Sequence, residues 1–319
     1  MSHHVDRFVQ QFVESVVDVN AIDRHVIEVS GLSPVEMHQA LSHARFSDDR
    51  AYGIQLMADF MAPEGSRYFD AIYGSFHGQQ AIRGWLVPTM ASIDFIDFRP
   101  MGEVAFLDDG VGVTSVDEWQ MFMGDIPLSK GVSVRRYRDG WITWACDVYD
   151  TAAFRVPGPD GESAPIPDPP SPGEWEPDRS APVVAAKNVD FDADCDQFHP
   201  TDSVYIDPIF GEFRGQDVIR SWMVDIMGKV GDIEFVPVGP ELNDGATYVQ
   251  EWVQMAVTPG GRRVPMTRGT SVRRYRDGWT YHAADYFDTA TIMAPEVMAA
   301  SVECGSRITV DDIMKYRGA

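Results

Sequence analysis

Ser133-Val134-Arg135-Arg136-Tyr137-Arg138-Asp139-Gly140-Trp141 occurs a second time, unchanged, as Ser271-Val272-Arg273-Arg274-Tyr275-Arg276-Asp277-Gly278-Trp279. Nine identical residues at a spacing of 138 (133 to 271) mark an internal repeat, and a repeat is to be sought before any local reading. The match extends outward. Asp150-Thr151-Ala152 answers to Asp288-Thr289-Ala290, and Gly78-Gln79 with Ile82, Arg83 and Trp85 answers to Gly215-Gln216 with Ile219, Arg220 and Trp222. Tyr68 and Asp70 pair with Tyr205 and Asp207, and Glu118-Trp119 with Glu251-Trp252. The spacing changes only across loop-like stretches such as Thr258-Pro259-Gly260-Gly261, where length differences between two copies of one fold belong.

Each copy reads as helices followed by a sheet. Ser33-Pro34 with Glu36 is an N-cap, a first-turn proline and a capping-box glutamate. Val5, Phe8, Val9, Phe12, Val13, Val16 and Val17 form one helical apolar stripe, and a further helix is expected from Asp48 to before Pro63. After the short helix at Gly78 come strand-like runs at about 92–98, 103–107 with 111–123, 131–138 and 141–149, and Asp139-Gly140 signals a tight hairpin. Nine of the 21 prolines fall in residues 155–182, which makes that segment a linker; Trp175 is its one large aromatic and the residue expected to pin it. The expected organisation is therefore 1–154, with N-terminal helices and the first repeat, a linker at 155–186, and 187–319, with the second repeat and a terminal helix or tail.

Composition narrows the function. A net charge of −23 disfavours nucleic acid and anionic membrane surfaces as partners. Cys146, Cys195 and Cys304 are odd in number and widely spaced, which favours a reducing, cytoplasmic setting over disulfides or a zinc site. Asp190, Asp192, Asp194 and Asp196 alternate, but Cys195 and Thr201 stand where a calcium loop needs Gly and Glu. No phosphate-binding loop, nucleophile elbow, zinc-protease or dinucleotide motif is present. No cofactor and no metal are expected.

Three features, in an order that occurs twice, resemble the nuclear-transport-factor-2-like superfamily, which includes SnoaL-like cyclases, ketosteroid isomerases and scytalone dehydratases. They are Asp207-Pro208 ahead of Gly215-Gln216, the Tyr-Arg-Asp-Gly-Trp hairpin, and Tyr149-Asp150 with Phe154 answering to Phe287-Asp288 with Ile292. The resemblance implies an α+β fold with two tandem cone-shaped domains, each of helices packed on a curved antiparallel sheet. It implies an apolar pocket in the cone, and cofactor-free acid–base chemistry by Asp, His or Tyr inside it. By position Asp70 and Asp207 resemble that family's general base, although Ala71 replaces the proline after Asp70, and Val134 and Val272 stand where a steroid isomerase has its second acid. Asp150 and Asp288 resemble the cyclases' acidic residue. Asp147 and Asp285 are expected to pair with Arg135 and Arg273.

The copies differ at chemically active positions. Copy two carries His199, Tyr205, Asp207, His282 and Tyr286, all proton-transfer types, whereas copy one offers His77 and Tyr73. These five with Asp70 are the candidate catalytic residues, and the five of copy two are expected to converge on one pocket. The expected activity is a lyase or dehydratase on an aromatic or polycyclic small molecule, such as a lignin-derived diaryl compound from which a C–C lyase releases formaldehyde. The alternatives are an isomerase or cyclase, an epoxide hydrolase needing an Asp–Arg–Asp arrangement around a water, and a non-catalytic binding or assembly protein. A homo-oligomer built through the sheets is also left open.

Overall fold

The computed structural model describes residues 33–38, 41, 50–93, 96–155, 170, 175, 177 and 182–317. The helix expected from Val5 to Val17 and most of the linker lie outside these residues. The capping box is present as read: Ser33 N and Oγ both donate to Glu36 Oε2 at 2.8 Å, Glu36 N returns a bond to Ser33 Oγ at 3.3 Å, and residues 34–38 are helical.

The first half runs α1 (Arg50–Phe60), β1 (Arg67–Asp70), β2 (Gly74–His77), α2 (Gln79–Ser92), β3 (Ile96–Pro100), β4 (Ala105–Asp108), β5 (Val113–Met123), β6 (Ile126–Arg138) and β7 (Trp141–Tyr149). The second runs β8 (Val184–Ala185), α3 (Phe191–Asp194), β9 (Val204–Asp207), β10 (Gly211–Arg214), α4 (Gln216–Met227), β11 (Ile233–Pro237), β12 (Leu242–Asn243), β13 (Thr247–Val257), β14 (Arg263–Arg276), β15 (Trp279–Phe287), α5 (Thr289–Ile292), α6 (Pro295–Glu303) and α7 (Val310–Arg317). No helix among the described residues is long and apolar enough to cross a membrane.

The two sheets share one topology, β2-β1-β7-β6-β5-β3 and β10-β9-β15-β14-β13-β11-β8. The sheets are mixed, not wholly antiparallel. β1 lies parallel to β7 and β9 to β15, Asp70 beside Asp147 and Tyr205 beside Ala283, because each meander returns to the strand ahead of its short helix. β8 belongs to the second sheet through β11, although residues 184 and 185 fall in the expected linker. The two Asp-Gly hairpins are built alike: Asp139 and Gly140 have φ of 48° and 75°, Asp277 and Gly278 of 53° and 81°. Both central residues are left-handed, as a tight turn matched to strand twist requires.

Every long strand has two buried faces. Toward the helices, β6 presents Ser133, Arg135 and Tyr137, and β14 presents Ser271, Arg273 and Tyr275; this is the inside of each cone. The opposite faces of the two sheets bury each other. Phe69, Val116, Val134, Cys146 and Val148 share one apolar cluster with Ile206, Val249, Val253, Val272 and Ala284, and Trp175 of the linker is buried in it. The surface expected to serve a homo-oligomer is thus filled by the other half of the same chain.

The indole of Trp119 packs against Gly131, and that of Trp252 against Gly269, inside the cones. A Cβ on Gly131 would fall 2.4 Å from the indole, and one on Gly269 2.3 Å. We therefore expect Gly269→Ala to cost about 1–3 kcal/mol through overpacking, checked by urea unfolding, and to displace an indole that also holds part of the site described next.

Candidate active site

Each cone contains the same hydrogen-bonded chain. In the first, Trp119 Nε1 donates to Ser133 Oγ at 2.9 Å, Ser133 donates to Asp147 Oδ1 at 2.5 Å, and Tyr68 donates to Asp147 Oδ2. In the second, Trp252 Nε1 donates to Ser271 Oγ at 2.9 Å, Ser271 to Asp285 Oδ1 at 2.6 Å, and Tyr205 to Asp285 Oδ2 at 2.5 Å. Ser133 and Ser271 open the identical nonapeptide, so that stretch encodes more than a hairpin. The expected Arg135–Asp147 pair is present at 3.9 Å, and the charge of Asp117 on β5 also favours the same guanidinium. Arg273 instead reaches Asp194 at 3.3 Å, with Asp285 also attracting it.

Asp70 and Asp207 occupy matching places at the end of the first strand. Asp70 Oδ1 accepts the N–H groups of Ile72 and Tyr73 at 2.8 and 3.0 Å, and Asp207 Oδ1 those of Ile209 and Phe210 at 2.8 and 2.9 Å. Turn capping is thus one role of both. The second oxygen differs. Tyr149 Oη donates to Asp70 at 3.3 Å from both oxygens, whereas Phe287 replaces Tyr149 in copy two, and Asp207 Oδ2 accepts from no described residue.

Burial pushes the Asp70 carboxyl up to about 7, and the Asp147 carboxylate adds to the rise against the pull of the turn N–H groups and Tyr149. Burial likewise raises Asp207 to about 7; the Phe210 and Ile209 N–H groups and Arg317 oppose the rise and Asp285 reinforces it. An apolar enclosure that disfavours the carboxylate is what turns an aspartate into a proton carrier near neutrality. Tyr205 and Tyr68 move the other way for catalysis: burial and then the adjacent carboxylate raise both phenols well above their usual range. They act as neutral donors that orient Asp285 and Asp147.

The expected convergence of five copy-two residues is not what the fold provides. Tyr205 and Asp207 face the cone, but His282 and Tyr286 alternate onto the opposite side of β15, between the sheets. There His282 Nε2 and Tyr286 Oη each lie 2.7 Å from Glu118 Oε1, and Arg274 donates to Glu118 Oε2 at 2.7 and 2.9 Å. His199 lies at the cone rim, where its Nδ1 accepts Asp202 N at 3.1 Å and Thr201 N at 3.4 Å and its ring stacks on Tyr281 at 4.6 Å. Its ring nitrogen is occupied by a turn. Copy one, conversely, is richer than His77 and Tyr73 suggest, because Tyr68, Tyr149, Asp70 and Asp147 all meet inside its cone.

Asp150 and Asp288 join the two halves. Asp288 Oδ1 accepts Thr151 N and Oγ1 at 3.0 and 2.8 Å, and Asp150 Oδ1 accepts Thr289 N and Oγ1 at 3.1 and 2.6 Å. The repeated Asp-Thr-Ala is therefore a reciprocal clasp about a pseudo-twofold axis. The alternating aspartates take no calcium-loop form: Asp190 caps Ala193 N, Asp192 and Asp196 pair with Arg220, and Asp194 pairs with Arg273.

Comparison with known proteins places a family on the second half: the SnoaL-like domain model matches residues 182–282. No curated protein matches the chain in sequence. Among solved structures, the chain is similar to a putative isomerase of the SnoaL-like family from Agrobacterium tumefaciens, at 19% identity over 36% of this chain and 96% of that one, with a TM-score of 0.29. It is similar to a hypothetical protein with a ketosteroid isomerase-like fold from Catenulispora acidiphila, in complex with trimethylamine, at 15% identity over 38% and 86%, TM-score 0.29. TerC co-crystallised with polyporic acid is 18% identical over 32% and 82%, TM-score 0.27.

Proposed function

From a chain that carries a SnoaL-like domain at 182–282 and repeats its architecture in the first half, we propose a cofactor-independent acid–base lyase or dehydratase acting on an aromatic or polycyclic small molecule. Its superfamily includes isomerases, cyclases and dehydratases, so the choice among reactions rests on the site. The observation that carries the reading is Asp207: buried in the second cone, with Oδ1 fixed by two backbone N–H groups and Oδ2 accepting from no described residue.

In an elimination, Oδ2 of the ionised Asp207 accepts the proton of a substrate C–H or phenolic O–H, and the electron pair forms the new double bond. The leaving hydroxide departs as water after taking a proton, which the now-neutral Asp207 can supply. Arg273, on the same inner face, provides positive charge for an oxyanion that develops on the substrate. His282 and Tyr286 have no part in these steps. A phenolic or polycyclic body suits the apolar, aromatic surroundings of Tyr205, Phe210, Phe213 and Trp222.

The test is turnover of a panel of phenolic dimers and polycyclic ketones or alcohols, followed by product analysis. The expected kcat/KM profile has a limb centred at about 7, and His282→Ala retains kcat within a few fold. Binding without turnover across the panel would instead favour a ligand-binding protein.

A second reading belongs to the first cone. Arg135 pairs with Asp147, which Tyr68 and Ser133 orient, and Asp117 also attracts its charge, which supports an Asp–Arg–Asp site of the kind epoxide hydrolysis needs. Water would give its proton to one carboxylate as its oxygen bonds to the epoxide carbon, and the other carboxyl would protonate the departing oxygen. Labelled oxygen from solvent in a diol product would identify it.

A further inference from the structure

The two halves treat their central buried glutamates differently. Glu118 is met by one arginine, Arg274, and by His282 and Tyr286. Glu251, its counterpart, is met by two arginines: Arg136 on Oε2, and Arg268 on Oε1 at 2.9 Å. The Arg268 side chain is 2% exposed, and its Nε and Nη1 donate to no described residue; the same is true of Arg136 Nε and Trp144 Nε1. These groups form one cluster. The Arg268 guanidinium lies 4.3 Å from the Phe69 ring and 5.0 Å from Trp144, and that of Arg136 lies 5.2 Å from Trp144. Thr270, opposite Glu251 in the β13–β14 ladder, adds a buried hydroxyl without a described partner.

Two guanidinium cations against one carboxylate leave a positive charge uncompensated between the sheets. A buried unbalanced charge costs several kcal/mol, and buried N–H groups are nearly always paired. The repeat shows how the other half avoids the problem. Lys130 stands where copy two has Arg268, and it reaches across to a carboxylate of its own, Glu212 of the second half at 3.0 Å, where both side chains are partly exposed. The unpartnered groups around Arg268 are mostly donors, and no second carboxylate among the described residues pairs with them. A water molecule accepts only two hydrogen bonds and brings no countercharge.

We propose that the two sheets enclose a binding site for a small monovalent inorganic anion of about the size of chloride, held by Arg268, Arg136 and Trp144 beside Glu251. The anion neutralises the cluster and ties the second sheet to the first, so it serves interdomain assembly and not the chemistry of the cones.

The test uses the full chain purified without halide. Thermal unfolding is followed in sodium bromide and in sodium gluconate at equal ionic strength, and crystals grown in bromide are measured at the bromine absorption edge. The expected results are a saturable rise in Tm with bromide but not gluconate, and an anomalous peak within ~3.5 Å of Arg268 and Trp144 nitrogens. Arg268→Met leaves Glu251 and Arg136 balanced and should remove the halide response. Trp144→Phe keeps the charge and should weaken the half-saturating bromide concentration about fivefold to tenfold, one lost hydrogen bond's worth; it decides the matter if Arg268→Met does not fold. Equal Tm in the two salts, a response that survives Arg268→Met, or density for water or for a carboxylate of the chain itself at these donors would overturn the proposal.

Discussion

Asp207→Asn lowers turnover by roughly 10²- to 10⁴-fold and, in the same protein, raises stability above pH 7. The first effect follows because an amide cannot carry a proton. The second follows from linkage. The folded carboxyl titrates at about 7, against roughly 3.9 in an unfolded chain. Both states are protonated below about pH 4, so burial there costs nothing in ionisation. Between about pH 4 and 7 the folded state binds the extra proton, and stability falls as pH rises; above 7 the full penalty is in place. Asparagine keeps the Oδ1 acceptor for Ile209 and Phe210 but does not ionise. A separation of about three units corresponds to an upper bound of about 4 kcal/mol, so a gain of about 2–4 kcal/mol at pH 8 is expected, shrinking toward zero at pH 4. Urea unfolding at pH 4, 6 and 8 measures it. A difference that does not change with pH would mean that Asp207 is an ordinary ionised cap.

Glu118→Ala is the second large effect, and it acts on the junction. Burial alone would push the Glu118 carboxyl up, but the donors His282, Arg274 and Tyr286 hold it down to about 2. Removing the carboxylate strands a partly buried guanidinium and a buried phenol between the sheets. The expected loss is about 3–5 kcal/mol, the usual result of breaking a buried ion pair from one side. His282→Ala removes one contact of three and should cost about 1 kcal/mol. Because the folded pKa of Glu118 is depressed, its contribution is present above the ordinary carboxylate range and is lost as pH falls toward about 2. Wild type should therefore lose stability over that acid window more steeply than Glu118→Ala does. Equal acid profiles would place the carboxylate outside the network.

Much of the fold was legible in the residues. The repeated nonapeptide located both hairpins, the spacing of Gly-Gln and Trp located both short helices, and alternation along a strand puts His282 and Tyr286 on one face. What alternation cannot supply is which face looks into the cone. Both faces of β15 are buried, one by helices and one by the other sheet, so polarity gives no sign of direction. His282 and Tyr286 were therefore grouped with Asp207 although the sheet separates them. The signal that separates them lay in the repeat: Glu118-Trp119 and Glu251-Trp252 are adjacent residues on alternate faces, the tryptophan over a glycine in the cone, the glutamate between the sheets. The roles of Ser133 and Ser271 were hidden because serine beside an arginine-rich run reads as a solvated hairpin. The Asp150 and Asp288 clasp was hidden because a residue that caps a turn in the other half leaves no local spacing to find.

One carboxyl group in each cone, Asp70 and Asp207, keeps its proton to about neutral pH. Carbon-13 NMR of Asp Cγ resonances, titrated from pH 3 to 9 in wild type, Asp70→Asn and Asp207→Asn, tests this directly. Two resonances with midpoints at about 7, one missing from each variant, are predicted. Titration of every aspartate near 4, with no resonance specific to Asp70 or Asp207 moving around neutrality, would contradict it.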